Sequence, residues 1–314
     1  MKLRIGTRGS RLALWQAKRV AASLAAVRPE VETEIIIIES SGDKDRNTSL
    51  ANLGTIGIFT REIEDALHEG RTDVAVHSLK DMPTESPQGL IVAALLPRDD
   101  PRDVLIAPAL QGHKCKPGDE LLALPEGARI GTSSLRRRAE LLRARADLRI
   151  EDIRGNVPTR ISRVEQGELD AIVLSLAGLT RLGLEPPGRI PVPMELMLPA
   201  PAQGTIAIQV RKDDVAAGEC VAALDDANTR ISTDAERLVL HHLEGGCRIP
   251  LGAHAEIQGD TLVLQGRLTS PDGKQVLESR QSGDLTAWRQ MADQVAKDLR
   301  ANGGDELLKA ARGL

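Results

Sequence analysis

The amino-acid sequence predicts an α/β protein that ends in a smaller α+β domain. Three observations carry that expectation. The chain has 314 residues, enough for two or three domains of ordinary size. Short continuous apolar runs alternate with helical patterns through most of its length, as in sheets covered on both faces. The segment beyond about residue 225 reads differently, as a helix and then consecutive antiparallel strands joined by turns.

In chain order, strands are expected at Leu3–Thr7, at Glu34–Glu39 around the run Ile35–Ile38, and at Asp73–His77, Ile91–Leu95, Asp103–Ala107, Arg129–Gly131, Arg149–Ile153, Ala171–Leu174 and Thr205–Val210. Each is a brief run rich in β-branched or aliphatic residues. Helices are expected at Ser10–Val27, Thr60–Glu69, Ser134–Arg145, Asn156–Gln166 and Ala227–Leu243, and Ser10, Ser134 and Asn156 are suited to cap theirs. In the C-terminal part, Ala253–Gln258, Thr261–Thr269 and Gln275–Gln281 read as antiparallel strands, turned at Gln258-Gly259-Asp260 and Ser270–Gly273, with a helix from Asp284 to Ala301. Pro- and Gly-rich connections at Leu96–Pro101, Pro186–Pro193 and Asp213–Gly218 mark boundaries, and Gln111–Glu120 reads as an exposed loop.

Composition narrows the function classes. The chain is 41% hydrophobic and 27% charged, which excludes a disordered or collagen-like protein. Two Trp, one Phe and no Tyr leave aliphatic side chains to build the core and argue against stacking of nucleic-acid bases. No apolar run approaches the roughly 18 residues of a membrane span, and Met1–Gly6 carries no secretory pattern. Cys115, Cys220 and Cys247 lack metal-ligand spacing and suit free thiols in a reducing cytoplasm.

Net charge is −4 but unevenly spread: residues 129–163 hold ten Arg, no Lys and four acids, so this stretch is +6 and the remainder −10. Arginine suits two-pronged grip on carboxylate or phosphate, although any single Arg is as readily a solvated helix face. Three segments repeat one local design of strand, polar turn and helix start: Gly6–Ser10 with Arg8; Gly131–Arg137 with Arg136 and Arg137; and Arg154–Arg160. Helix starts with an added guanidinium attract anions, and neither Walker-A nor dinucleotide spacing is present. Any one turn is more simply plain capping; three together favour an anion site. Val74–Pro83 ends an apolar strand in a polar cluster, and Asp81 there either pairs with Lys80 or stays ionised to stabilise a cation or relay protons. Cys247 follows two glycines and precedes Arg248, a setting open to a reactive thiolate as much as to packing.

In this order, Arg4–Ala17, Val76–Pro83, Asp100–Asp103, Gly131–Arg137, Arg154–Arg160, Ala177–Leu184, Leu198–Gly204 and Leu243–Pro250 resemble the motifs of the porphobilinogen deaminase (hydroxymethylbilane synthase) family, across nearly the whole chain. The resemblance implies two lobes like those of periplasmic binding proteins, at 1–100 with 202–220 and at 103–199, and a third domain at 225–314. It implies a dipyrromethane cofactor held by a thioether on the residue matched by Cys247. It also implies a transferase that adds four porphobilinogens with loss of ammonia and then releases hydroxymethylbilane. Asp81 matches the family's catalytic aspartate. Arg8, Arg136, Arg137, Arg154, Arg160 and Arg181 match its carboxylate-binding arginines, and Ser10, Ser78, Lys80, Thr132, Ser134, Gly155, Asn156, Gln203 and Phe59 match further cofactor or substrate contacts; no metal is implied.

Two places depart from the family pattern. In the loop Ala51–Phe59, Thr55 and Ile56 replace a Gly and a Lys, and Asn52 stands where some members have Lys; Ala202 replaces a common Gly. The rival of another class is a non-catalytic dicarboxylate-binding protein, disfavoured because a binder has no need of Cys247 on a Gly-Gly loop. The expected setting is a cytoplasmic monomer without nucleic-acid or membrane partner.

Overall fold

The computed structural model describes residues 1–39, 60–113, 119–243 and 249–312. The chain opens with β1 (Lys2–Arg8), α1 (Arg11–Val27), β2 (Glu32–Ile38), α2 (Arg61–His68), β3 (Val74–Ser78) and β4 (Leu90–Leu95). Next come β5 (Asp103–Ile106), β6 (Arg129–Gly131), α3 (Leu135–Ala144), β7 (Arg149–Glu151), α4 (Val157–Glu165), β8 (Ala171–Ser175), α5 (Leu176–Leu182) and β9 (Arg189–Pro191). It then forms β10 (Ile206–Arg211), α6 (Val215–Ala222) and α7 (Ala227–His242), and closes with β11 (Leu251–Gln258), β12 (Thr261–Thr269), β13 (Val276–Asp284), α8 (Trp288–Leu299) and α9 (Asp305–Arg312).

Two five-stranded sheets follow one plan, in the orders β2-β1-β3-β10-β4 and β7-β6-β8-β5-β9. In the first, β1 pairs in parallel with β2 and β3, while β10 runs antiparallel to β3 and β4. In the second, β6 pairs in parallel with β7 and β8, while β5 runs antiparallel to β8 and β9. The antiparallel strand of each sheet is the first to form after the chain leaves the other sheet. By contacts, residues 1–99 with 204–230 make one unit, and residues 100–203 with 231–314 make a second.

Consecutive residues of these strands feed opposite cores, which is why they read as unbroken apolar runs. In the first unit Leu3, Ile5, Val74, Val76 and Ile208 pack with Ala17, Val20 and Leu24 of α1, whereas Ala75 faces Ile63, Ala66 and Leu67 of α2. In the second unit Leu105, Ile130 and Val173 meet Leu141 of α3, and Val104, Ile106 and Ile172 meet Ile161 and Val164 of α4. The antiparallel sheet β11-β12-β13 has its own core with α7 and α8, formed by Val239, Leu251, Leu264, Val295 and Leu299 among others.

Three sequence expectations need correction. The connection Pro186–Pro193 contains β9, whose Pro191 is tolerated because the strand lies at the sheet edge. Asp213–Gly218 runs straight into α6, with Asp214 as its cap through the Ala217 N–H at 3.1 Å. The single C-terminal helix is instead two: β13 extends to Asp284, α8 starts at Trp288, and the backbone leaves helical geometry at Asn302 and Gly303 (φ 101°) before α9.

Candidate active site

In the first unit the carboxyl ends of the parallel neighbours β1 and β3 bring the expected residues to one sheet edge. Ser10 caps α1, its Oγ accepting from Ala13 N–H at 3.2 Å. Gln16 of α1 donates to Ser78 Oγ at 2.8 Å, tying that helix to the end of β3. There the chain makes one 3-10 turn, Leu79–Asp81, pinned by Leu79 N–H to Thr205 O at 3.0 Å. The turn leaves Asp81 exposed, with Arg8, Ser10, Ser78 and Lys80 half-buried. Beneath it His77 is buried, and burial, with a contribution from Arg8, pushes its imidazole down to about 4, so it is neutral at physiological pH.

In the second unit two turns meet at the carboxyl ends of β6 and β7. Thr132 N–H donates to Glu151 O at 2.8 Å, and Ser133 Oγ bridges both ways to Ile153, donating to its O at 2.8 Å and accepting its N–H at 3.1 Å. Ser134 caps α3 by accepting from Arg137 N–H at 3.5 Å, and Asn156 caps α4 by accepting from Thr159 N–H at 3.0 Å. Thr132 Oγ1 accepts from Ser134 N–H at 3.2 Å. A Cβ on Gly131 would fall 2.7 Å from Leu169 Cδ1 and force the side chains packed there to shift; Gly155 takes φ +100°, which favours glycine.

The arginines of this unit divide into two sets. Arg136 and Arg137 turn inward onto Asp103, which has no exposed surface: Arg136 Nη1 lies 2.6 Å from Oδ2, and Arg137 Nη2 lies 2.8 Å from Oδ1. Arg136 also donates to Leu198 O at 2.7 Å and Arg137 to Val173 O at 3.0 Å, while Gln203 donates to Asp103 Oδ1 at 3.0 Å. Burial alone would raise the Asp103 pKa, but Arg136, Arg137 and Gln203 outweigh it and hold the carboxyl well below the usual range. The other set is Arg154 and Arg160. Arg160 donates to Gly155 O at 2.8 Å, and burial followed by repulsion from Arg137 and Arg154 pushes its guanidinium down to about 10. Arg160 thus lies within the field of two other guanidiniums, and such a gathering of positive groups is the electrostatic counterpart of a polyanion. Arg181 is buried in the last turn of α5.

Phe59, the altered loop Ala51–Phe59, Cys115 and Cys247 lie outside the described residues. Cys220 is a free thiol buried in α6 within the core of the first unit, where burial pushes its pKa up. Sequence reasoning gave no role to Asp103, the hub of the inward arginines. Its signal was there: an acid heading the apolar run Val104–Ala107 enters a strand buried on both faces and must be paired.

Residues 3–219 match the family model described as "Porphobilinogen deaminase, dipyromethane cofactor binding domain", and residues 231–301 match "Porphobilinogen deaminase, C-terminal domain". The chain belongs to the porphobilinogen deaminase family. Relatives named porphobilinogen deaminase include that of Moorella thermoacetica, 41% identical over 312 residues covering 99% of this chain and 97% of the relative. The protein of that name from Geobacter sulfurreducens is 42% identical over 307 residues, covering 98% and 94%. Among solved structures, an extracellular-binding protein of an amino-acid ABC transporter from Bacillus subtilis is similar at a TM-score of 0.40 and 10% identity, over 71% of this chain and 90% of that one. The family's cofactor-binding model spans both five-stranded sheets, so the residues described at the ends of β1, β3, β6 and β7 all fall within it.

Proposed function

We propose that this chain is a porphobilinogen deaminase: it joins four porphobilinogens head to tail on a dipyrromethane, losing one ammonia each time, and releases hydroxymethylbilane by hydrolysis. The observation that carries this reading is the placing of Arg160 at the start of α4 within the field of both Arg137 and Arg154. Porphobilinogen bears an acetate and a propionate, so every added ring brings two carboxylates. A growing oligopyrrole is therefore the kind of polyanion such a cluster suits. The dipyrromethane, with four carboxylates of its own, fits the same donors. Membership of a deaminase family counts against a non-catalytic dicarboxylate binder.

Arg154 and Arg160 would grip ring carboxylates directly, and Arg137, anchored on Asp103, would add its field. Arg8, Lys80 and Arg181 are proposed as further carboxylate contacts, with Ser10, Ser78, Thr132, Ser134, Gly155, Asn156, Gln203 and Phe59 supporting them. Arg136 is more deeply committed: its bonds to Asp103 and Leu198 suit holding the cluster in place. When bound, the dipyrromethane supplies the nucleophilic pyrrole carbon to which the first porphobilinogen is joined.

Asp81 is the proposed catalytic residue. As the aminomethyl C–N bond of porphobilinogen breaks, ammonia leaves and positive charge spreads onto the substrate's pyrrole nitrogen. A carboxylate held on a turn pinned through Leu79 stabilises that charge with little reorganisation, and can take the proton released when the new C–C bond forms. Cys247 is proposed as the thioether tether; the burial of Cys220 in a packed core gives no support to that residue in the role. We assign the chain three domains, 1–100 with 202–220, 103–199 and 225–314, and a cytoplasmic, monomeric setting; no helix among the described residues is long and apolar enough to cross a membrane.

The reading is tested by supplying porphobilinogen to the purified protein and following ammonia and hydroxymethylbilane together. Turnover is expected, and Asp81→Asn should lower kcat by about 10²–10⁴-fold while leaving the fold intact. A rate unaffected by Asp81→Asn would remove that residue from the mechanism.

A further inference from the structure

Glu236 sits in α7 with no exposed surface. Its two carboxylate oxygens serve two separate segments: Oε2 accepts from Ala202 N–H at 2.6 Å, and Oε1 accepts from Ala255 N–H on β11 at 2.8 Å. Ala202 is the one non-glycine among the described residues with a positive φ, 61°. A residue with a Cβ takes that left-handed conformation only where its neighbours hold it there.

Ala202 belongs to a strut, residues 198–203, gripped along its length. Leu198 O accepts from Arg136 Nη1 at 2.7 Å, and Pro199 O accepts from Ala253 N–H at 3.0 Å. Gly252 approaches so closely that a Cβ there would lie 2.6 Å from Leu198 Cβ. At the far end Gln203 Nε2 reaches Pro101 O at 2.7 Å and Asp103 Oδ1 at 3.0 Å. Thus the amide held by Glu236 is one residue from the side chain that engages Asp103, and Asp103 holds both Arg136 and Arg137.

We propose that Glu236 is a positioning residue for the arginine cluster: by clamping the left-handed turn at Ala202 it sets Gln203 against Asp103, and so fixes the orientation of Arg137. The proposal rests on the reading of that cluster as the carboxylate-binding site of a deaminase. A carboxylate is the group this clamp needs, because both its oxygens accept; an amide of the same shape would turn a donor toward one of the two N–H groups. Neither Glu236 nor Ala202 is among the groups proposed to grip or activate substrate, so loss of the clamp should act on binding geometry and leave the chemical step alone.

The test pairs Glu236→Gln with Ala202→Gly. Glu236→Gln is expected to raise KM for porphobilinogen about tenfold with kcat within about threefold of the parent. Amide exchange in the peptide covering 199–205 should quicken at least about tenfold, with exchange in β12 unchanged. Glycine adopts the left-handed turn unaided, so Ala202→Gly alone should match the parent, and added to Glu236→Gln it should restore most of the lost KM. Unchanged KM and exchange in Glu236→Gln, or a KM defect that glycine does not relieve, would overturn the proposal. If Glu236→Gln proves insoluble, a soluble double variant with near-parental KM supports the clamp, and an equally insoluble one overturns it. Should the parent protein show no turnover of porphobilinogen, the deaminase reading fails, and the exchange measurement still decides whether Glu236 holds the turn.

Discussion

Asp103 and Arg136 form a 2.6 Å ion pair in which the carboxylate has no exposed surface and the arginine only 4%. Desolvating both partners is expensive, and Arg137, Gln203 and the Leu198 carbonyl offset part of that cost with further hydrogen bonds, although Arg136 Nε stays buried without an acceptor among the described residues. Arg136 and Arg137 are therefore oriented by a buried acid.

Removing that acid should be severe. Asp103→Asn leaves two buried guanidiniums without a counter-charge, and a loss of about 3–5 kcal/mol in unfolding free energy is expected from denaturant titration. A variant as stable as the parent would show that the pair carries no structural burden.

Two buried groups should mark separate pH windows. The His77 imidazole is pushed down to about 4 by burial, whereas the unfolded side chain titrates near 6.5. The unfolded chain thus binds the proton first, and stability present above pH 6.5 is lost as pH falls toward 4. Asp103 is also depressed, from an unfolded value near 3.9, so its contribution is present above that pH and lost only at lower pH. Melting temperature measured against pH should show the His77→Gln variant flatter between 6.5 and 4, and Asp103→Asn flatter below 4. Identical profiles for parent and variants would refute the assignment.

Arg160 should trade stability for affinity. Its guanidinium is depressed to about 10 yet stays charged at neutral pH, so burial and repulsion from Arg137 and Arg154 disfavour its charged form in the folded protein. Arg160→Gln should raise the melting temperature by about 1–2 °C and raise KM for porphobilinogen by roughly 10–100-fold, the worth of a charged hydrogen bond. A lower melting temperature together with unchanged KM would contradict both halves of the argument.

Close approach, rather than backbone freedom, explains Gly252. Its Cβ would meet Leu198 Cβ at 2.6 Å and Leu198 O at 2.8 Å. Gly252→Ala should cost about 1–3 kcal/mol by urea denaturation, because neither contact can retreat without moving the strut. Parental stability would mean that β11 can shift freely.

Much of this was legible in the sequence because local signals and tertiary demands agreed. Runs such as Val104–Ile106 feed cores on both faces, and Ser10, Ser134 and Asn156 all cap the helices they precede. The arginine turns were legible as a group but not individually. Nothing local distinguishes Arg136, turned inward to Asp103, from Arg160, depressed by burial and then by its neighbours, since the deciding partner of Arg136 lies 33 residues away. Helix α6 was hidden because Asp213-Asp214 reads equally as linker or cap, and Glu236 because its partners are backbone amides on two remote segments.

The central claim is that these arginines secure a lengthening polyacidic oligopyrrole tethered through Cys247, and intact mass of the purified protein tests it most directly. The parent should exceed its sequence mass by one dipyrromethane and gain further pyrrole units stepwise on exposure to porphobilinogen, while Cys247→Ser should show the bare mass and Cys115→Ser and Cys220→Ser should keep the addition. A parent protein at its bare mass that gains nothing from porphobilinogen, or a Cys247→Ser variant that retains the added mass, would contradict the account.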